Sequence, residues 1–198
     1  ADNASNRRDK PLMMQIGLGV RFTSYLATKE FYSSVPEMIM FPGALTYKPD
    51  PDPTKKDSVF IPGPQLQCLN LFFNINFELK NWLRAGMNGD IIGYTFGPQR
   101  QGLYINGTQA ERVTVTPEHF NCFWIEKGDE SGMLLVEFFV TIPVADHIEL
   151  KLAAQVLDMV YLTDRPVQTY PRANDRFRLQ SYMWSAGIAY GIGKKSKR

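Results

Sequence analysis

The chain has 198 residues, a length that one domain accounts for. Its 22 Lys and Arg residues nearly balance 20 Asp and Glu residues, so the composition gives no sign of a nucleic-acid partner. Aromatic residues make up 13% of the chain, yet no stretch approaches the roughly 20 apolar residues that a membrane helix needs. Many aromatic residues without a long apolar run are typical of a membrane β-barrel, in which only every second residue faces lipid.

The two ends of the chain indicate an exported protein with short extensions. The chain begins at Ala1, as a mature protein does after its signal peptide is cleaved, although a chain trimmed for expression begins in the same way. Residues 1–11 are predicted to form a periplasmic N-terminal extension. Residues 194–198, four of them Lys or Arg, are predicted to form a basic periplasmic tail.

Alternation of apolar and polar residues predicts eight strands. In the first strand Ile16, Leu18 and Val20 fall on one face, while Gln15 and Arg21 fall on the other. The pair Asn106-Gly107 inside the fourth strand could be a bulge or a turn. The eight strands, of which the fourth and fifth are the weakest, are expected at 12–26, 66–79, 82–96, 102–116, 119–127, 133–144, 148–163 and 176–193.

The connections between these strands indicate how they are arranged. Short turns at 80–81, 116–118 and 145–147 alternate with longer connections at 27–65, 97–101, 128–132 and 164–175. Outer-membrane barrels have short periplasmic turns and longer extracellular loops. We therefore expect an all-β fold, a closed antiparallel up-and-down transmembrane β-barrel over residues 12–193. It would lie in the bacterial outer membrane with both termini in the periplasm.

The two faces of the strands differ in polarity. In hydrocarbon every backbone polar group needs a partner, so strands span a bilayer only as a closed barrel with apolar side chains facing lipid. A soluble sandwich or lipocalin-type barrel would reverse the faces, but the predicted strands of about 12–16 residues exceed the roughly 5–6 usual in soluble proteins. An eight-stranded barrel is filled by side chains, which predicts a charge-neutral lumen network rather than a conducting pore. This lumen network is assigned to Arg21, Asn74, Glu78, Arg84, Asp90, Glu137, Glu149, Lys151 and Arg178.

The chain resembles the small eight-stranded bacterial outer-membrane β-barrels, such as the transmembrane domain of outer membrane protein A. The matching pieces are the opening segment 15–22, the closing segment 182–193 and the hairpins at 80–81 and 145–147. The resemblance implies an outer-membrane location and a structural, adhesive or accessory role. One departure is the basic tail, because such barrels often end on an aromatic residue that the insertion machinery reads.

The connection 27–65 is the largest functional clue. It contains seven prolines and two apolar pieces. A structureless loop of this length is uncommon unless it is functional or disordered, and exposed Met and Phe indicate a docking surface or a lid. The alternative is a loop that folds back over its own barrel. Partner binding is assigned to Met38, Ile39, Met40, Phe41, Val59, Phe60 and Ile61.

No catalytic, metal or cofactor site is expected. The histidines, His119 and His147, fall at turns expected on the periplasmic side, away from the outer-leaflet lipid on which lipid-A-modifying barrel enzymes act. We expect a non-enzymatic structural or accessory subunit that contacts membrane lipids and binds other outer-membrane or periplasmic proteins. The alternatives are a lipid-A-modifying enzyme and a soluble β-barrel that binds a hydrophobic ligand.

Overall fold

A computed structural model shows an all-β chain. It describes residues 13–34, 57–80, 82–107, 109–123, 132–168 and 173–190, so the predicted extensions at 1–11 and 194–198 lie outside the described residues. Within these residues, eleven strands form one antiparallel sheet. They are β1 (Met13–Leu26), β2 (Lys29–Ser34), β3 (Ser58–Pro62), β4 (Gln65–Lys80), β5 (Leu83–Phe96), β6 (Arg100–Asn106), β7 (Gln109–Pro117), β8 (Phe120–Cys122), β9 (Met133–Ala145), β10 (Ile148–Thr163) and β11 (Arg176–Tyr190).

The predicted count of eight strands and their up-and-down order are wrong. The connection predicted at 27–65 contains β2 and β3. The fourth predicted strand is a hairpin, β6 and β7, which turns at Asn106-Gly107, where Gly107 has a φ of 54°. Neighbouring strands in the sheet therefore follow the order β1-β4-β5-β9-β10-β11-β2-β3-β6-β7, with β8 beside β5.

The first four strands form one long ribbon. β1 pairs with β4 up to Leu26 opposite Gln65, and β2 pairs with β3 from Lys29 opposite Pro62. Between the two ladders the Ala27 amide donates to the Pro64 carbonyl at 3.1 Å. Most of the backbone at the two ends of the predicted loop, at 27–34 and 58–65, is therefore hydrogen-bonded in a ladder.

The ribbon exchanges its faces where the two ladders meet. Even-numbered side chains of β1, such as Leu26, point outward and are exposed, whereas in β2 the even-numbered Tyr32 is buried and the odd-numbered Phe31 is 57% exposed. Gly63 lies at this junction with a φ of 61°, a conformation that favours glycine. The exchange explains why alternation read from β1 did not continue into β2.

Six of the strands are long and run between two distinct ends of the molecule. β1, β4, β5, β9, β10 and β11 each have between 13 and 16 residues. We call the end that carries the β4–β5 and β9–β10 turns the turn end. At the opposite end, the ring end, hydrogen-bonded pairs run from β10 through β11, β2, β3, β6 and β7 and back to β10.

The turn at 116–118 was predicted beside the other short turns, and this placement is wrong. Pro117 pairs with Tyr161 near the ring-end terminus of β10. The physical reason is the β6–β7 hairpin. Because the chain reverses its direction once more than the prediction assumed, the connection after β7 lies at the opposite end from the one predicted. His119 consequently lies at the ring end, whereas His147 lies in the β9–β10 turn.

The apolar core lies at the ring end. It joins buried side chains from the ring strands to the ring-end halves of β4, β9 and β10. Its largest fully buried members include Tyr32, Tyr161, Phe177, Ile61, Leu66 and Met133. Tyr32 and Tyr161 pack edge to face with ring centroids 5.1 Å apart.

Candidate functional site

An apolar belt surrounds the turn-end half of the molecule. It is formed by the outward side chains of the six long strands, and its most exposed members are Trp184 at 88%, Ile188 at 74% and Leu18 at 72%. Between the turn end and Asp158, the outward rows of these described strands carry no charged side chain. Further exposed members are Ile16, Val20, Phe22, Leu69, Leu71, Ile92, Tyr94, Phe138, Val140, Ile142, Leu150, Leu152, Tyr182 and Tyr190.

An ion pair ends the belt on β10 and β11. Asp158 lies on the outward row of β10 and stays in register opposite Gln180 on β11 and Leu134 on β9. Its carboxylate lies 3.2 Å from the Nε of Arg178. Arg178 was assigned to the lumen network, and that assignment is wrong because Arg178 is on the face opposite the core residue Phe177.

The inward face of the turn-end half is polar and paired. Arg84 on β5 reaches across β9 to Glu149 on β10, and Lys151 on β10 pairs with Glu137 on β9. Glu137 also accepts hydrogen bonds from Gln155. Opposite charges therefore compensate each other inside this half, as the burial of charge requires.

A chain of amides continues this network across β4 and β5. The Asn76 amide donates to Asn74 at 2.8 Å, Asn74 donates to Asn88 at 2.6 Å, and Asn88 donates to Glu137 at 2.6 Å. Glu78 lies on the same inward face of β4, at the turn end. The assigned residues other than Arg178 thus lie on one face, and most of them contact each other directly.

Asp90 lies at the junction between this polar interior and the apolar core. Its carboxylate is buried and pairs with Arg21, which approaches with Nε at 3.1 Å. It also accepts hydrogen bonds from the side chain of Asn70 at 2.7 Å and from the backbone amide of Leu135 at 2.9 Å. Three donors on one carboxylate satisfy a charge that would otherwise be costly to bury.

The sheet forks at Asp90, and the fork explains the cluster. β5 pairs with β9 only as far as Gly89, and from Ile92 onward it pairs with β8. The backbone of β9 beyond this point therefore lacks β5 as a ladder partner, and side chains replace it. Asn70 donates to the Met133 carbonyl at 2.9 Å.

A second amide completes the fork from β8. Asn121 is fully buried, and its side-chain oxygen accepts from the Met133 amide at 2.9 Å and from the Thr95 hydroxyl at 2.8 Å. Its side-chain nitrogen donates to Asn70 at 2.7 Å. Sequence reasoning missed Asn121 because it lies in the fifth predicted strand, one of the two weakest, where no alternation marks it. The signal that could have marked it is a polar residue in a segment rich in Phe and Trp.

The residues assigned to partner binding are divided by the structure. Val59 and Ile61 are completely buried in the core, so the exposure on which their assignment rested is absent. The face exchange is the reason, since it turns odd-numbered residues of β3 inward. Phe60 is half-buried and packs against the exposed Phe31 at 5.0 Å between ring centroids. The remaining assigned residues, Met38, Ile39, Met40 and Phe41, lie outside the described residues.

The histidines have partners that fit turn and edge positions. The Nδ1 of His119 lies 2.9 Å from the Thr95 carbonyl oxygen, and its ring stacks on Tyr94 at 5.3 Å. The Nδ1 atom therefore carries the proton, because a carbonyl oxygen only accepts. His147 has a φ of 65° in the β9–β10 turn. The expectation that both histidines lie at the same end is wrong, as His119 is at the ring end.

The described residues contain no helix long and apolar enough to cross a membrane. Among those residues, no group of three or more His, Cys, Asp or Glu side chains could hold a metal ion. No protein-family model, curated protein or solved structure matches the chain.

Proposed function

We propose that this protein is a non-enzymatic outer-membrane β-barrel protein, whose six long strands cross the bilayer and whose ring end stands in water outside it. It would serve as a structural or accessory subunit of the cell envelope. The observation that carries the proposal is the pairing of an uncharged, exposed apolar belt with a charged interior.

The arrangement of polarity favours lipid over water around the belt. In a water-soluble protein the exposed face carries the charges and the apolar face is buried. Here the turn-end half has the opposite arrangement, with ion pairs inside and Leu, Ile, Val and Trp outside. A single apolar side chain on a surface needs no explanation, but a continuous patch over six strands does.

The height of the belt also fits a bilayer. A tilted strand needs about 9–11 residues to cross the hydrocarbon region. On β11 the exposed belt runs from Tyr182 to Tyr190, and on β1 from Met14 to Phe22. Aromatic residues lie at both limits of the β11 row, where tyrosine and tryptophan favour the membrane–water interface.

Fractionation of cells that produce the full chain tests this proposal. We expect the protein in the outer-membrane fraction after an alkaline carbonate wash, released only by detergent. Recovery of folded protein from the aqueous fraction without detergent would contradict the proposal and favour a soluble barrel.

The accessory role is supported by an aromatic pair at the ring end, in which the exposed Phe31 packs against the half-buried Phe60. These side chains lie beyond the belt, on the part of the molecule assigned to water, where exposed aromatic surface is typical of protein interfaces. Replacing both with Ser should leave membrane insertion intact and remove envelope proteins that co-purify with the parent chain. The matched control replaces the exposed Gln101 and Thr114 of the neighbouring hairpin with Ala. Equal co-purification from all three proteins would contradict the accessory role at this surface.

A further inference from the structure

The six-stranded wall has two edges. β1 pairs with β4 on one side, and β11 pairs with β10 on one side. Within the described residues no ladder joins the other side of β1 to the other side of β11, and only Ser33 and Ser34 of β2 pair with the ring-end tip of β11. Among the described residues, the turn-end half therefore has an open seam between β1 and β11.

The face exchange prevents the ring from extending down this seam. Ser33 lies opposite Arg178, and continuing that register into β1 would set Phe22 opposite Ala189. Phe22 belongs to the outward row of β1, whereas Ala189 belongs to the inward row of β11. Paired strands must share their faces, so the register that closes the ring cannot close the seam.

If the proposed function is correct, on which this inference rests, an open seam cannot persist in the bilayer. Hydrocarbon offers no partner for the amide and carbonyl groups of an edge strand. A wall of six strands is also smaller than the eight-stranded barrels that are the smallest of their kind. Another pair of edges is therefore needed.

We propose that a second copy of this chain provides those edges, so that two six-stranded walls form one twelve-stranded barrel. β1 runs from the turn end to the ring end and β11 runs in the opposite direction. A two-fold axis along the strands places β1 of one copy antiparallel to β11 of the other, with both ring ends on the same side. The free stretches are similar in length, since β1 has 14 residues and β11 has 12 beyond its pairing with β2, at 179–190.

Both edges carry small residues on their inward rows, beside larger ones such as Arg21 and Met183. Gly17 and Gly19 occupy the inward row of β1, and Ser185 and Ala189 that of β11. A Cβ placed on Gly187 would meet no atom within 4 Å. Space is thus present at Gly187, on the β11 side of the seam, whereas the Phe72 ring fills the space beside Gly19.

Cysteine cross-linking in membranes tests the pairing. In a background with Cys68→Ala and Cys122→Ala, one tagged copy carries a cysteine on β1 and a differently tagged copy carries a cysteine on β11. Because the register between the two copies is not known in advance, each strand is tested at three positions. The β1 variants are Ile16→Cys, Leu18→Cys and Val20→Cys, and the β11 variants are Trp184→Cys, Ala186→Cys and Ile188→Cys. The control is Val140→Cys on β9, which is exposed but lies on a strand with neighbours on both sides.

We expect oxidation to give a covalent dimer from β1–β11 mixtures in at least one register, and none from either copy alone or from the control. Native mass spectrometry of the unsubstituted protein in detergent should give the mass of two copies, independent of any variant's folding. A monomer mass, or a disulfide within one chain that carries both cysteines, would overturn the seam proposal while membrane insertion stands. A dimer that is soluble without detergent would instead overturn the proposed function and leave the edge pairing in place.

Discussion

Asp90 shows how one residue can hold together two parts of the molecule with opposite chemistry. It accepts from Arg21 on β1, Asn70 on β4 and the backbone of β9, so it joins three strands at the fork. A continuous ladder does not do this, because the Met133 carbonyl and the Leu135 amide of β9 have no partner on β5. Side chains bind these two groups instead. We infer that side-chain hydrogen bonds hold the fork together where no ladder joins β5 to β9.

Replacing Asp90 with Ala should lower the free energy of unfolding by about 3–5 kcal/mol, because it leaves the Arg21 guanidinium without its buried partner. Urea titration of the reconstituted protein measures this change. The matched control is Glu111→Ala, which removes the partner of Arg165 in an exposed ion pair and should cost about 0–1 kcal/mol. Equal losses in the two variants would contradict the importance of the fork.

Tyr104 gives the ring end a dependence on high pH. Burial, together with a hydrogen bond of 2.5 Å to Asp57, raises the pKa of Tyr104 to about 12. The unfolded chain ionises this group near pH 10. The stabilisation of the folded protein by the neutral Tyr104 hydroxyl is therefore complete below pH 10 and is lost as the pH rises toward 12.

The variant Tyr104→Phe should lose less stability between pH 10 and pH 12 than the parent protein does. At pH 7 it should be less stable by about 1–3 kcal/mol, because Asp57 loses a donor. Unfolding titrations at pH 7, 10, 11 and 12 compare the two proteins. Parallel pH profiles would mean that Tyr104 does not carry the effect.

At the scale of the elements, alternation predicted the long strands and their faces. The side chains of β1, β4, β9, β10 and β11 lie on the expected faces. Alternation of apolar and polar residues arises whenever the two faces of a strand have different surroundings. Alternation did not predict which strands are neighbours, because it fixes the two faces of a strand but not the strand with which it forms hydrogen bonds. The β2–β3 ladder was therefore missed, and the turn at Asn106-Gly107 stayed one of two alternatives until the structure showed it.

The candidate site was predictable to a similar degree. Arg84, Glu137, Glu149 and Lys151 were assigned inward from their phase, and the structure pairs them. Arg178 was misplaced because charge was given more weight than phase. Val59 and Ile61 were misplaced because apolar residues between prolines look like an exposed loop when the paired strand is not known.

The outward face of β10 permits a direct test of its medium. Leu152 is 55% exposed and lies midway between the turn end and Asp158. In a bilayer Leu152→Arg should cost about 2–4 kcal/mol, as arginine does near the midplane of a barrel wall. The control Gln101→Arg, on the exposed face of β6, should change the free energy of unfolding by less than about 0.5 kcal/mol. Unfolding titrations in lipid vesicles measure both, and a neutral effect of Leu152→Arg would contradict a lipid-facing belt.

At the scale of the whole molecule, two arrangements of polarity share one sheet. The ring-end half buries an apolar core of aromatic and aliphatic side chains, as a water-soluble protein does. The turn-end half buries ion pairs and exposes its apolar rows. The change occurs at the level of Asp90 on the inside and of Asp158 on the outside, so the proposed bilayer would end at this level.

Trp184 is the most direct reporter of this account, because it is the most exposed large residue of the belt. With Trp82 and Trp124 replaced by Phe, its fluorescence can be measured in bilayers whose acyl chains carry bromine. We predict strong quenching by the brominated lipid and weak quenching by aqueous iodide. A control with Gln101→Trp as the sole tryptophan should show the reverse. Quenching of Trp184 by iodide but not by brominated lipid would contradict the central claim that this belt faces lipid.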